Sequence, residues 1–210
     1  MLKIGLTGNL CSGYIEVAKI LENFDVPVFD ADIALKFLLN YREDIIRNIK
    51  IQFGDVFNAG LLDVKKFNTT EKFSRLIDIA QPELMKIYES FRFANKHASY
   101  TVFKSSILFE KGLEKEMNDV ICCFSPREKR AIQYSNEMDI NLSDAYTVLE
   151  NEMDELVKNQ KATWVIHNYD NLSLLVQSKE THDKIEGKSI KKILDNMQRE
   201  NFNTAKNIIF

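Results

Sequence analysis

The run Lys3-Ile-Gly-Leu-Thr-Gly-Asn-Leu-Cys-Ser-Gly-Tyr-Ile-Glu-Val-Ala-Lys19 constrains this chain more than any other stretch. Ile4 to Leu6 is a short apolar run that reads as a strand. Gly8 and Gly13 bracket a turn with four residues between them. Ile15, Ala18, Ile20 and Leu21 then continue at helical spacing. Strand, glycine-bracketed loop and helix, in that order, are the layout of a phosphate-binding P-loop. The next two positions of that motif are Lys and Ser or Thr; here they are Tyr14 and Ile15. The bland alternative is that Gly8 and Gly13 only shape a strand-to-helix turn.

A P-loop grips phosphates with backbone N–H groups and with the positive end of the following helix. Any residue type supplies an N–H, so Gly8, Asn9, Leu10, Cys11, Ser12, Gly13, Tyr14 and Ile15 are the candidate nucleotide-binding residues. The lysine acts differently: its ammonium neutralises charge on the phosphates as the bond breaks, while the Ser or Thr hydroxyl coordinates Mg²⁺. Tyr14 offers a phenol and no cation, and Ile15 offers nothing polar. A lost transition-state charge contact of this kind costs about 2–4 kcal/mol, or roughly 10²–10³ in rate.

The 210 residues accommodate one α/β domain with an inserted or lid region, and 45% hydrophobic content supports a sizeable core. No run of about eighteen apolar residues occurs, so no transmembrane helix is expected. The Ile4–Leu6 run is too short for a secretory signal and is cut by Gly5 and Gly8. A net charge of −3 gives no whole-chain case for nucleic-acid binding. Cys11, Cys122 and Cys123 form no metal or disulfide pattern, and the adjacent pair sits in an apolar run where buried free thiols are expected. A reducing cytoplasm fits. His97, His167 and His182 show no ligand spacing, and no metal ligand is assigned.

Asp25-Val-Pro-Val-Phe-Asp30 reads as a second strand, ending in Asp30-Ala31-Asp32 before a helical pattern through Ile33, Leu35, Leu38 and Leu39. Two carboxylates there are either helix caps or a general base facing the loop, since ligands in open α/β sheets bind beyond the carboxyl ends of strands. A helix is expected over 41–53, a turn at Asn58-Ala-Gly60, and a helix from Thr69-Thr-Glu71 that Gln81-Pro82 interrupts before it resumes at Glu83. Ser99 to Phe103 reads as a strand. Asp119-Val-Ile-Cys-Cys-Phe124 is apolar almost throughout, as a strand buried on both faces of a parallel sheet should be. Ser125 is expected to cap the next helix with Pro126 at its first position. One helix is expected from Asn141 through Tyr146, Leu149, Met153 and Leu156. Thr163 to His167 reads as the last strand, with helices over 171–178 and 189–200 after it. This β-α alternation predicts a parallel sheet with helices on both faces.

These landmarks together resemble dephospho-coenzyme A kinase. Ile4-Gly-Leu-Thr-Gly8 is similar to that family's opening strand and loop, and Val26-Pro-Val-Phe-Asp-Ala-Asp-Ile33 to its Asp-Ala-Asp signature. Leu108-Phe-Glu110 with Gly112, Val120 through Pro126, Lys158 and Val165-Ile-His-Asn168 resemble later family segments. The resemblance implies a P-loop NTPase three-layer α/β/α fold with a five-stranded parallel sheet, plus helical substrate-side and lid regions. It implies one domain over 1–210, with a substrate-side region near 40–98, a lid near 136–146 and a loose tail over 201–210. The implied activity is transfer of the γ-phosphate of ATP to the 3′-hydroxyl of dephospho-CoA with Mg²⁺. Residues 8–15 would face the ATP phosphates, Asp32 would be the base at the attacking hydroxyl, and Asp30 would lie close to metal and substrate.

The departures fall on the chemistry. Besides Tyr14 and Ile15, two loop glycines of the family pattern are Asn9 and Cys11, and its Gln on the helix after the lid is Glu152. Its lid arginines are absent: no arginine lies between Arg130 and Arg199. Three readings follow. The first is a kinase fold with impaired phosphoryl transfer that binds a nucleotide, a CoA-like ligand or a protein partner. The second is an active kinase with a substitute cation, for which Lys3, Lys19, Lys36, Lys104 and Arg130 are candidates by position. The third is a non-catalytic interaction subunit, with Tyr14 and Ile15 plugging the phosphate site and the acidic Glu150–Glu155 stretch as partner surface. Neither nucleic acid nor membrane is an expected partner.

Overall fold

The computed structural model describes residues 1–67 and 69–209, with side chains described as far as Asp195. In chain order the elements are β1 (Leu2–Gly8), α1 (Tyr14–Glu22), β2 (Val28–Asp30), α2 (Ala31–Tyr41), α3 (Glu43–Phe53), β3 (Phe57–Asn58), β4 (Leu61–Leu62) and α4 (Thr70–Ala94). Then come β5 (Tyr100–Lys104), β6 (Asp119–Phe124), α5 (Arg127–Met138), α6 (Leu142–Leu149), α7 (Glu155–Lys161), β7 (Trp164–His167) and α8 (Leu174–Ile209). Five strands form one sheet in the order β2-β5-β1-β6-β7, and every pairing in it is parallel. β3 and β4 form a separate antiparallel hairpin around the Asn58-Ala-Gly60 turn.

Two cores sandwich the sheet. On one face Leu2, Ile4, Leu6, Ile121 and Ile166 pack with Val17 and Leu21 of α1 and Ile185 of α8. On the other, Phe29, Phe103 and Val120 pack with Leu35 and Leu38 of α2 and Leu76, Leu84 and Tyr88 of α4. This is the three-layer α/β/α arrangement. The mostly apolar character of β5 and β6, broken by Thr101, Lys104 and Asp119, follows from burial on both faces. The same second core takes in Ile45 and Ile49 of α3 and Leu62 of the hairpin, so the 40–98 region shares the sheet's core. Ala131, Ala145 and Leu149 form a small third cluster between α5 and α6.

Parallel strands bring Gly8, Asp30, Lys104 and Phe124 to one edge of the sheet, the carboxyl edge. β1 lies between β5 and β6, so the chain turns to opposite sides of β1 there, and the crevice at such a switch point is where this architecture binds ligands.

Several sequence expectations need correction. α4 is continuous through Pro82. Pro82 faces solvent while Leu76, Ile77, Ala80, Leu84 and Tyr88 keep one buried face on both sides of it, and that packing outweighs the lost hydrogen bond. The single helix expected from Asn141 to Leu156 is two: Asp154 accepts from the Leu156 and Val157 N–H groups and starts α7 afresh. Ser125 does not cap α5; Pro126 takes the cap position and no side-chain cap bond forms. The helices expected over 171–178 and 189–200 are one, α8, whose buried face runs Ser178, Thr181, His182, Ile185 and Ser189. The expected loose tail from Asn201 falls outside the described side chains. The three cysteines are free, with Cys122 and Cys123 buried.

Candidate functional site

The loop after β1 is tight. A Cβ at Gly8 would lie 2.2 Å from Ser12 Oγ and 3.0 Å from the Cys123 carbonyl, so any larger residue there would have to displace the Ser12 side chain. Cys11 and Gly13 take left-handed backbone conformations, with φ of 58° and 98°. The Ser12 N–H donates to the Asn9 carbonyl at 3.0 Å. Asn168 Nδ2, just past β7, donates to the Ser12 carbonyl at 3.1 Å. Burial pushes the Cys11 thiol up to about 11, with help from the Glu137 carboxylate 3.8 Å away, so it stays protonated at neutral pH.

The break between α6 and α7 is strapped onto this loop. Asn9 Nδ2 donates to the Met153 carbonyl at 2.8 Å. The Leu10 N–H donates to Glu152 Oε1 at 2.6 Å. Arg130 of α5, only 1% exposed, completes the network. Its guanidinium donates to Glu152 Oε2 at 2.7 Å, Glu155 Oε2 at 3.1 Å, and the carbonyls of Leu10 and Ser125.

Tyr14 is buried at the start of α1, and its hydroxyl donates to Asp32 Oδ2 at 3.3 Å. Asp32 also accepts from the Ser106 N–H at 3.0 Å, the Ser106 hydroxyl at 3.0 Å and the Ser105 hydroxyl at 3.4 Å. Burial raises the Asp32 carboxyl above its ordinary range, although the Ser106 bonds and the nearby Lys104 pull the other way. The Tyr14 phenol is also raised, first by burial and then by the Asp32 charge. Asp30 accepts from the Ile33 N–H as the N-cap of α2, and its other oxygen is ion-paired with Lys104. Lys104 Nζ lies 5.8 Å from the Tyr14 ring centroid.

Asp30 and Asp32 thus do different jobs: Asp30 caps a helix and neutralises a buried lysine, while Asp32 faces Tyr14. Of the five candidate substitute cations, Lys104 and Arg130 reach the loop region, and both are ion-paired. Lys3 is at the far end of β1, near Glu89, and Lys19 and Lys36 are exposed. Ile15 is 44% exposed and brings no oxygen. Among the described residues no group of three or more His, Cys, Asp or Glu side chains is placed to hold a metal ion. With Asp30 already paired to Lys104, the residues present do not fit a magnesium nucleotide in the manner the motif requires.

A family model for dephospho-CoA kinase matches residues 2–173. The chain belongs to the dephospho-CoA kinase family. It is 26% identical over 170 residues to a dephospho-CoA kinase of Thermus thermophilus, covering 79% of this chain and 82% of that one. It is 27% identical over 184 residues to a dephospho-CoA kinase of Fusobacterium nucleatum, covering 84% and 94%. Among solved structures, a crystal structure from Thermus thermophilus superposes with a TM-score of 0.69 at 24% identity, covering 93% of this chain and 97% of that one. The dephospho-CoA kinase of Campylobacter jejuni gives 0.61 at 19%, covering 88% and 97%. Both show the fold.

In this member of the dephospho-CoA kinase family, the contacts that sequence reading missed are the strap from Glu152 and Met153 and the role of Lys158. Lys158 is buried in α7, donates to the Ser106 carbonyl at 3.1 Å and pairs with Glu110 Oε1 at 2.7 Å. It thereby ties α7 to the segment that supplies the donors to Asp32. The Asp154 cap was a readable signal for the strap; the partner of Glu152 was not.

Proposed function

We propose that this chain is a dephospho-CoA kinase relative that has lost efficient phosphoryl transfer and keeps an acceptor-side site for a CoA-like adenine nucleotide. One observation carries the reading: the residue after Gly13, where the motif places its lysine, is a tyrosine whose phenol donates to Asp32. The position that should neutralise phosphate charge is spent on the candidate base. Asp32 is further engaged by Ser105 and Ser106, so its lone pairs are committed to the protein. The family activity would use ATP and Mg²⁺ with dephospho-CoA as acceptor. The three free cysteines support a reducing compartment such as the cytoplasm.

The test is to incubate folded protein with ATP, Mg²⁺ and dephospho-CoA and to quantify CoA by mass spectrometry, with Asp32→Ala as the contamination control. The expected result is no CoA above the control, together with thermal stabilisation by dephospho-CoA alone. CoA formed by the wild type and lost in Asp32→Ala overturns the reading.

A second reading, a divergent active kinase, is favoured by Lys104, whose ammonium stands beside the Tyr14 ring. It requires Lys104 to leave Asp30 when substrate binds. If turnover is found, Lys104→Met abolishes it under this reading.

A further inference from the structure

We infer that Glu152 is an internal anion: its carboxylate takes the place of an external anion at the phosphate loop and closes the loop to phosphates. This rests on the reading above that the loop no longer serves a nucleotide. Backbone N–H groups before a helix N-terminus attract negative charge whatever its source. Glu152 supplies that charge from within the chain, accepting from the Leu10 N–H at 2.6 Å. Its second oxygen is fixed by the buried guanidinium of Arg130 at 2.7 Å, a charge-assisted length. Both oxygens are therefore oriented, one on the loop and one on a buried cation that also bonds the Ser125 and Leu10 carbonyls.

The charge balance matters as much as the contact. Arg130 contributes one positive charge, and Glu152 and Glu155 contribute two negative ones. The cation that bonds the loop is thus overcompensated, and the Arg130–Glu152–Glu155 cluster carries a net charge of −1 beside it. The strap is also positioned on its own account. The helical pattern is cut at Asp154, which caps α7, and Asn9 donates to the Met153 carbonyl beside Glu152. A glutamine at 152 would keep the oxygen that accepts from Leu10 but would lose the charge.

The experiment measures binding of inorganic pyrophosphate, by calorimetry and by thermal shift, to the wild-type chain, Glu152→Gln and Glu155→Gln. Glu152→Gln is expected to bind at least ~10-fold more tightly than the wild type, with the gain shrinking as salt rises. Glu155→Gln removes the same unit of charge but leaves the carboxylate on Leu10, and is expected to gain less than half as much on a logarithmic scale. If Glu152→Gln does not fold, Glu152→Ala replaces it, with the same expectation. Equal affinity in wild type and Glu152 variant, or an equal gain in Glu155→Gln, overturns the inference. CoA formation by the wild type would instead overturn the functional reading, so the two failures are distinguishable.

Discussion

The phenol of Tyr14 donates to Asp32 at the carboxyl edge of the sheet, joining the start of α1 to the start of α2 across 3.3 Å. In a working P-loop the residue at the Tyr14 position carries a positive charge into the site. Here it carries a phenol, which is neutral or anionic and never cationic, so it cannot take over charge compensation. The contact holds the phenol on the Asp32 carboxylate, and it makes the state of Asp32 measurable through stability.

The first prediction concerns pH. Asp32 has a raised pKa in the folded chain, caused chiefly by burial. Between the ordinary carboxylate value and the raised one, the folded state keeps a proton that the unfolded state has lost. Stability from this group is therefore present at low pH and lost as pH rises through the folded value. Asp32→Asn has no such proton to lose, and its amide can still accept from Ser106. Its melting temperature should equal or exceed the wild type near pH 7, and that advantage should shrink as pH falls toward about 4. Melting curves across that range check it; a gap independent of pH contradicts the raised value.

The sheet and the loop were readable because their signals are local. Ile4–Leu6 and Val120–Phe124 are short apolar runs, Gly8 and Gly13 have a fixed spacing, and Asp30-Ala-Asp32 sits at a strand end. What was not readable depends on distance or on polar burial. Leu10 and Glu152 are 142 residues apart, and no periodicity places a carboxylate on a backbone N–H. The apolar spacing of Leu149, Met153 and Leu156 bridges the gap between α6 and α7 and hides the break. The buried face of α8 is mostly Ser, Thr and His, so a search for apolar periodicity splits that helix in two. At Pro82 a local breaker signal was present and tertiary packing overrode it.

The second prediction concerns Arg130. Truncating it leaves two carboxylates facing each other and two carbonyls without their donor. Arg130→Met should destabilise the fold by about 3 kcal/mol, the lower end of what breaking a buried pair costs, because the glutamates are partly exposed. Adding Glu152→Gln and Glu155→Gln should recover at least half of that loss, since neutral partners need no counter-charge. Urea unfolding of the single and triple variants reads both numbers.

The third prediction concerns Pro82, an exposed proline inside the continuous helix α4. Pro82→Ala supplies an N–H in a helix already held in place by buried residues on either side. It should raise stability by about 1–2 kcal/mol, less than the full proline penalty because the more flexible unfolded chain offsets part of it. A loss of stability in urea unfolding would mean that the proline fixes a bend on which the packing of Leu84 and Tyr88 depends.

The last prediction separates two strains at Gly13. Its φ of 98° disfavours any side chain, and an added Cβ would lie 2.6 Å from Asn168 Nδ2. Gly13→Ala should therefore lose stability twice over, by about 1–2 kcal/mol of backbone strain and by displacing the amide that donates to the Ser12 carbonyl. Asn168→Ala alone should cost about 1 kcal/mol for that hydrogen bond. In the double variant the clash has no partner and the bond is already gone, so only the backbone strain is added. The combined loss should fall short of the sum of the two single losses. An additive result would mean that Asn168 moves freely away from the loop, and that the β7 end does not brace the phosphate-loop curve.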